Sequence, residues 1–366
     1  MEPWQRDSQF KKFLNYLPFL LLFCIAAFLL SKAPEVNTDL ILKRILLPLL
    51  RLLGIMAISL VLSALVEGMG WSGIVAKASR PLMRIGHFGS WSALAFTTAF
   101  LSGIAANILL WNAYKEGKID KKQMYITTLL NLGLPSYVLH LPTTLAITLP
   151  LIGRAGLIYV TVTLSAALIR TAVVLAAGRL LLPAQNNGDF ADEGLVSQAK
   201  SAQLNDAKRQ GKESRSVKIK RLVKRYLKQR LPRIVMYTVP IYAIVVALGQ
   251  MDFFDWLQDK ASHLISFDLL PVEGISVVVF TIMAEFTAGA TAAGAMLQQG
   301  ILGIKDTVLA LIIGNLVATP VRALRHQLPR YLGIFSPATG TAILVMGQSL
   351  RMISVMIAGT IYYIFF

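Results

Sequence analysis

Seven stretches of this chain run for about 20 residues with almost no charge, long enough as helices to cross the ~30 Å hydrocarbon core of a bilayer. They are 13–31, 45–66, 91–113, 155–182, 234–250, 271–299 and 339–364. Water cannot hydrate that much contiguous apolar surface, so a soluble enzyme is excluded. The composition agrees, with 55% hydrophobic residues, 15% charged residues and a mean hydropathy of +0.61. Lipid offers the backbone no hydrogen-bond partners, so each run must satisfy its own amides and carbonyls as a helix. The expected fold is an all-α polytopic membrane protein with about seven transmembrane helices.

Two further stretches, 123–150 and 307–335, are apolar but interrupted. Gly133, Pro135 and Pro142 break the first, and Gly314, Pro320 and Pro329 break the second. Each reads as a re-entrant broken hairpin that enters the bilayer and returns. Irregular backbone survives at that depth only where protein or a water-filled cavity satisfies it, so the breaks point to a functional centre.

Thirty-six Lys and Arg against 19 Asp and Glu give a net charge of +17. In a membrane protein this excess belongs to cytoplasmic loops facing anionic headgroups. Most of the basic residues fall in 1–12, 67–90, 179–233 and 300–330, which predicts a cytoplasmic N-terminus and an outside C-terminus in the cytoplasmic (inner) membrane. Residues 1–44 read as a signal anchor span, because the run 13–31 is longer than a cleaved signal's apolar core and lacks a small-x-small cleavage site. Between 184 and 233 lies a basic cytoplasmic linker. Its Ile219, Leu222, Val223, Tyr226 and Leu227 recur at helical spacing among Lys and Arg, as in an amphipathic helix at the headgroups. Lipid is the expected partner there, and nucleic acid is not. The single cysteine, Cys24, permits no disulfide within one chain.

Unusual residues recur in order across the two halves. Phe100 and Phe286, Gly103 and Gly289, Gly117 and Gly303, Asp120 and Asp306, and His140 and His326 keep one constant separation. Small gaps then bring Asn131 into register with Asn315, Pro135 with Pro320, Arg170 with Arg351 and Gly178 with Gly359. Rare Gly, Pro, Asp, His and Arg holding their order is the mark of an internal repeat. The units are 45–183 and 234–366, and the predicted orientation of their spans makes them inverted-topology repeats. Asp120 and Asp306, each following a glycine, are expected to cap the next helix.

The segments FTAGATAAG (286–294) and GNLVATPVRALRHQLPRYLGIF (314–335), with their first-half counterparts, resemble the nucleoside-recognition, or Gate-domain, multi-pass membrane proteins. The resemblance covers roughly 95–182 and 280–364. It implies kinship with the membrane parts of concentrative nucleoside transporters, ferrous iron permeases and spore maturation proteins. Unlike the iron permeases, the chain has no GxxxxGK[ST] phosphate loop and no room for a GTPase-sized domain.

Several residues could carry chemistry. Glu285 sits within an apolar run, where a carboxylate must be paired, protonated or facing water, so it reads as a proton or cation site or as an arginine's partner. Arg170 and Arg351 fall mid-run at equivalent repeat positions. They read as a clamp for a substrate phosphate or carboxylate, or as helix ties bonded to carbonyls. His140 and His326 stand beside the prolyl breaks, where they could join Glu285 at a proton or metal site or bond broken backbone. Asn131 and Asn315 could bind substrate or satisfy freed backbone groups. Arg322 and Arg325, with His326 and Arg330, gather positive charge suited to headgroups or an anionic solute.

No Ser-His-Asp order, HExxH pair or acidic dyad occurs, so no enzyme, cofactor or resident metal is expected. The expected function is a secondary-transporter-like permease with a midplane site between the two hairpins, for an anionic or phosphate-bearing organic solute or lipid. A non-transporting membrane assembly or envelope or spore-maturation factor, and a divalent cation permease, are the alternatives. The sequence leaves a homo-oligomer open.

Overall fold

A computed structural model of the chain describes residues 80–183, 231–251, 270–284 and 286–366, with scattered positions between 20 and 61 and between 217 and 228. The basic segment 184–216, most of the N-terminal anchor and Glu285 therefore lie outside the described residues. Among the described residues every regular element is helical. Three helical stretches, Lys121–Leu181, Ile304–Arg322 and Pro337–Phe365, are long and apolar enough to cross a membrane, and shorter apolar helices cover Phe23–Lys32, Thr238–Leu248 and Val272–Ile282. Many large apolar side chains are exposed, including Val345, Ile353, Met356 and Ile361 along the last helix. Such a surface suits lipid rather than water, and the build is that of a membrane protein.

After a π-helical turn at Ile41–Leu46, the elements in chain order are α1 (Arg80–Ile85), α2 (Ser90–Ala99), α3 (Gly103–Lys115), α4 (Lys121–Asn131), α5 (Leu134–Leu181) and α6 (Leu231–Gln250). They continue as α7 (Val272–Ala284), α8 (Phe286–Gln298), α9 (Ile304–Arg322), a π-helical turn (Ala323–Gln327), α10 (Leu328–Ile334) and α11 (Pro337–Phe365).

The runs 91–113 and 271–299, expected as continuous spans, are each two helices packed side by side. In the first, Ser102 adopts an extended conformation and its hydroxyl accepts a hydrogen bond from the Ala105 amide at 3.2 Å, so α3 starts afresh after Phe100 and Leu101. The chain then doubles back. Ser92 near the start of α2 shares a 2.8 Å hydrogen bond with Thr127 of α4, and the Lys118 ammonium lies 4.6 Å from the Trp91 ring centroid. In the second, a Cβ at Gly289 of α8 would strike Thr281 of α7, which places α8 alongside its predecessor. Polar caps inside apolar runs are invisible to a hydropathy window, which is why these runs read as single spans.

The stretches expected as hairpins behave differently. After a turn at Leu132 and Gly133, α5 carries on from α4 and reverses only at Gly153. There φ is +49° and ψ is −118°, a conformation reserved for glycine. The arms before and after Gly153 run antiparallel. The Leu134 amide donates to Thr171 Oγ1 at 2.9 Å, and Tyr137 Oη donates to the Val160 carbonyl at 2.7 Å. Ile126 of α4 clusters with Val174 and Leu175, so α4 continues along the same track. Residues 121–152 are thus one interrupted passage. α9, the π-turn and α10 make a matching passage antiparallel to α11, with Lys305 over the Tyr363 ring at one end and Gly340 against the Tyr331 carbonyl at the other.

Contacts between the halves fix their relative direction. The Trp111 ring meets Phe335 edge-on at 5.6 Å, so the tip between α10 and α11 lies beside the open end of α3 and α4. At the opposite end, a Cβ at Gly294 of α8 would collide with the Leu151 carbonyl beside the Gly153 tip. α8 is built of FTAGATAAGAMLQ, and its small side chains let α5, α6, α7 and α9 approach closely. Ala288, Ala290, Ala292, Ala293 and Ala295 are buried in the main core with Leu151, Ile152 and Ala155. α6 closes this core, with Thr238 and Thr291 sharing a 3.3 Å hydrogen bond.

Asp120 caps α4, its Oδ1 accepting from the Gln123 amide at 2.6 Å. Asp306 does not cap α9. Gly303 holds the cap position and makes no side-chain bond, while Asp306 sits within the first turn.

Candidate functional site

A cavity of about 460 Å³ opens between the halves. This is within the usual size of small-molecule sites, roughly 300–1,000 Å³. One wall is the α2–α3 tip from Ala99 to Ile104. Another is the α4–α5 interruption, with Asn131, Ser136 and Tyr137. Arg170 projects from the second arm of α5, and α11 supplies Gln348 and Arg351. α9 contributes Asn315.

The two interruptions bring polar groups here for a local reason. Where α4 stops at Asn131, the turn through Leu132 and Gly133 faces Gly347 of α11, where an added Cβ would press on the Leu132 side chain. That close approach leaves Asn131 only 4% exposed. Arg351 lies at the midpoint of α11, with roughly 20 Å of helix on either side.

Asn315 is the hub of the second half. Its Nδ2 donates to Tyr159 Oη at 3.1 Å, Arg322 Nη2 donates to its carbonyl at 2.9 Å, and its Oδ1 accepts from Arg322 Nη2 and, at 3.4 Å, from Arg351 Nη2. Tyr159 in turn stacks on Phe286 at 5.2 Å. Around Asn131 and Arg170 the polar groups are open. Asn131 Nδ2 and Oδ1 and Arg170 Nε have no partner among the described residues, although Arg170 is only 7% exposed. Arg170 and Arg351 are near enough to repel one another. No Asp or Glu lines the cavity among the described residues. Buried donors beside two like charges form a chemical environment that accepts an anion.

Three archaeal proteins resemble the chain. All are uncharacterized proteins of Methanocaldococcus jannaschii. One is 27% identical over 261 residues, covering 71% of this chain and 77% of its own length. A second is 24% identical over 287 residues, covering 77% and 84% of the two chains, and a third is 24% identical over 267 residues, covering 71% and 80%. No family model and no solved structure matches the chain.

Of the residues singled out in the sequence, Asn131, Asn315, His140, Arg170, Arg351 and the exposed Arg330 line one cavity. His140 is exposed at its rim. Arg322 does not line it but reaches it through Asn315. Arg325 and His326 belong by backbone to the π-helical turn, and their side chains are outside the described residues, as is all of Glu285. Among the described residues no three of His, Cys, Asp and Glu gather as a metal site would require.

Sequence reasoning missed Tyr159 and Gln348. Gln348 precedes Arg351 by three positions, hence shares its helix face, and that spacing could have disclosed it. Tyr159 looks like any apolar-face tyrosine until Asn315, 156 positions away, is folded against it.

Proposed function

We propose that the chain is a secondary-transporter-like permease of the cytoplasmic membrane, with its substrate site in the cavity between two inverted-topology repeats. The observation that carries this reading is the placement of Arg170 and Arg351, which fall in register in the two halves of the sequence, in the lining of one cavity beside interrupted helices. Broken helices around a central site are the material from which such transporters build alternating access. The resemblance to Gate-domain proteins is part of the same proposal.

On this reading the count of seven spans and two hairpins holds, but the elements trade places. The re-entrant hairpins are α2–α3 and α7–α8, and the interrupted stretches 121–152 and 304–334 cross. Lys115, Lys118, Lys121, Lys122 and Arg179 gather at the open end of the first repeat, with Arg154 and Lys305 at the other end. The positive-inside rule makes the lysine-rich end cytoplasmic. The first hairpin then enters from the cytoplasm and the second from outside. The N-terminus remains inside and the C-terminus outside.

The substrate is an anionic or phosphate-bearing solute, since two guanidinium groups need a counter-charge. The test is flux of labelled phosphate- and carboxylate-bearing solutes into vesicles holding the purified chain. Substrate-dependent flux that falls in Arg351→Ala supports the reading, and Glu285→Gln asks whether that carboxylate couples a proton. Unchanged flux in both variants would remove both residues from the mechanism. The Asn315–Tyr159 bond between halves favours the second reading, a non-transporting assembly factor with a fixed scaffold. No flux for any solute, with cysteine pairs across the hairpins reporting one fixed arrangement, selects it.

A further inference from the structure

We infer that the ligand of this cavity is a hydroxylated organic anion: a small molecule bearing one phosphate or carboxylate group and, next to it, hydroxyl groups. This deepens the anion-site reading above and rests on it. The buried polar atoms of the cavity that lack partners among the described residues are Asn131 Nδ2 and Oδ1, Arg170 Nε and Gln348 Oε1. Two of these atoms donate and two accept.

Gln348 Nε2 donates to Gln327 Oε1 at 2.7 Å, and its own carbonyl oxygen is the end left without a partner among the described residues. Both ends of the Asn131 amide are open, and either orientation offers one donor and one acceptor.

An anion's oxygens only accept. They satisfy Arg170 Nε and Asn131 Nδ2 but leave Asn131 Oδ1 and Gln348 Oε1 buried and unpaired, which a binding site does not tolerate cheaply. The ligand must bring donors of its own. An ammonium group would bring them beside two guanidinium groups, with no carboxylate among the described lining residues to hold it. Hydroxyl groups donate without that charge.

The experiment is equilibrium binding to the full-length protein in lipid nanodiscs, using matched pairs that differ in hydroxyls. Glycerol 3-phosphate is compared with propyl phosphate, and gluconate with hexanoate. The hydroxylated member of at least one pair should bind at least about tenfold more tightly, since a site built around hydrogen bonds rejects the analogue that lacks them. Which pair responds tells a phosphate from a carboxylate ligand. Asn131→Leu removes one donor that the anion uses and one acceptor that only a hydroxyl can satisfy, so it should lower the affinity of the hydroxylated member more than that of its partner. Equal binding within both pairs of the wild-type protein overturns the hydroxyl inference while the anion site stands. Binding of none of the four overturns the anion reading itself.

Discussion

The side-chain amide of Asn315 donates a hydrogen bond to the hydroxyl of Tyr159 at 3.1 Å, joining α9 to the second arm of α5. Removing the hydroxyl by Tyr159→Phe leaves the stack on Phe286 in place, so the loss should be that of one interhelical hydrogen bond, about 0.6–1 kcal/mol. Asn315→Leu should cost more, because it strips acceptors from Arg322 and Arg351 as well. Thermal unfolding of the two variants in the same detergent checks the order, and an equal loss in both would show that the arginines do not depend on Asn315.

Arg170 separates ligand binding from stability. Among the described residues its buried Nε makes no bond and its charge is repelled by Arg351, so an apolar side chain of similar length relieves a cost instead of breaking a tie. Arg170→Met should keep or raise the unfolding temperature of the ligand-free protein and abolish stabilisation by added anions. A clear drop in the ligand-free protein would mean that Arg170 is a structural tie.

Gly153 turns the chain by backbone conformation alone. A Cβ there would meet nothing within 4 Å, yet its φ of +49° is strained for any other residue. Gly153→Ala should therefore destabilise the fold by about 1–3 kcal/mol without any clash. Gly103→Ala is the control, since it also has open space but lies in ordinary helix. Similar unfolding temperatures for the two would remove the backbone argument.

The doubling back of α2 on α3 is open to a direct test. Ser92 and Thr127 oxygens lie 2.8 Å apart, so S92C/T127C in a Cys24→Ala background should crosslink rapidly under mild oxidation. A continuous span through 91–113 would carry the chain across the bilayer between these positions and give no crosslink.

Capping distinguishes the two aspartates. Asp120→Ala removes a bond to the Gln123 amide and should cost about 0.5–2 kcal/mol. Asp306→Ala should cost less, because Asp306 occupies the first turn of α9 rather than its cap. Equal losses on thermal unfolding would assign Asp306 a role beyond the dipole of its helix.

Much of the site was legible because the chemistry that marks it is rare in lipid. A mid-helix arginine or an asparagine at a prolyl break stands out against Leu, Val and Ile whatever the tertiary arrangement, and Asn131, Arg170, Asn315 and Arg351 were found that way. The direction of each apolar run was not legible. The cap at Ser102 and the small-residue face of α8 make hairpins, but both look like ordinary interior positions of a hydrophobic stretch.

By itself the sequence determined that this chain is helical, belongs in a membrane and carries polar groups that are rare in apolar runs, because hydrophobic length and residue identity are local properties. Only the tertiary structure decided which runs double back, that Tyr159 receives the Asn315 amide, and that Asn131 and Arg170 line a cavity with buried polar atoms left unpaired among the described residues. Those outcomes depend on which surfaces meet across the fold. Burial, and with it the cost of an unpaired polar atom, is set by neighbours that are distant in the chain.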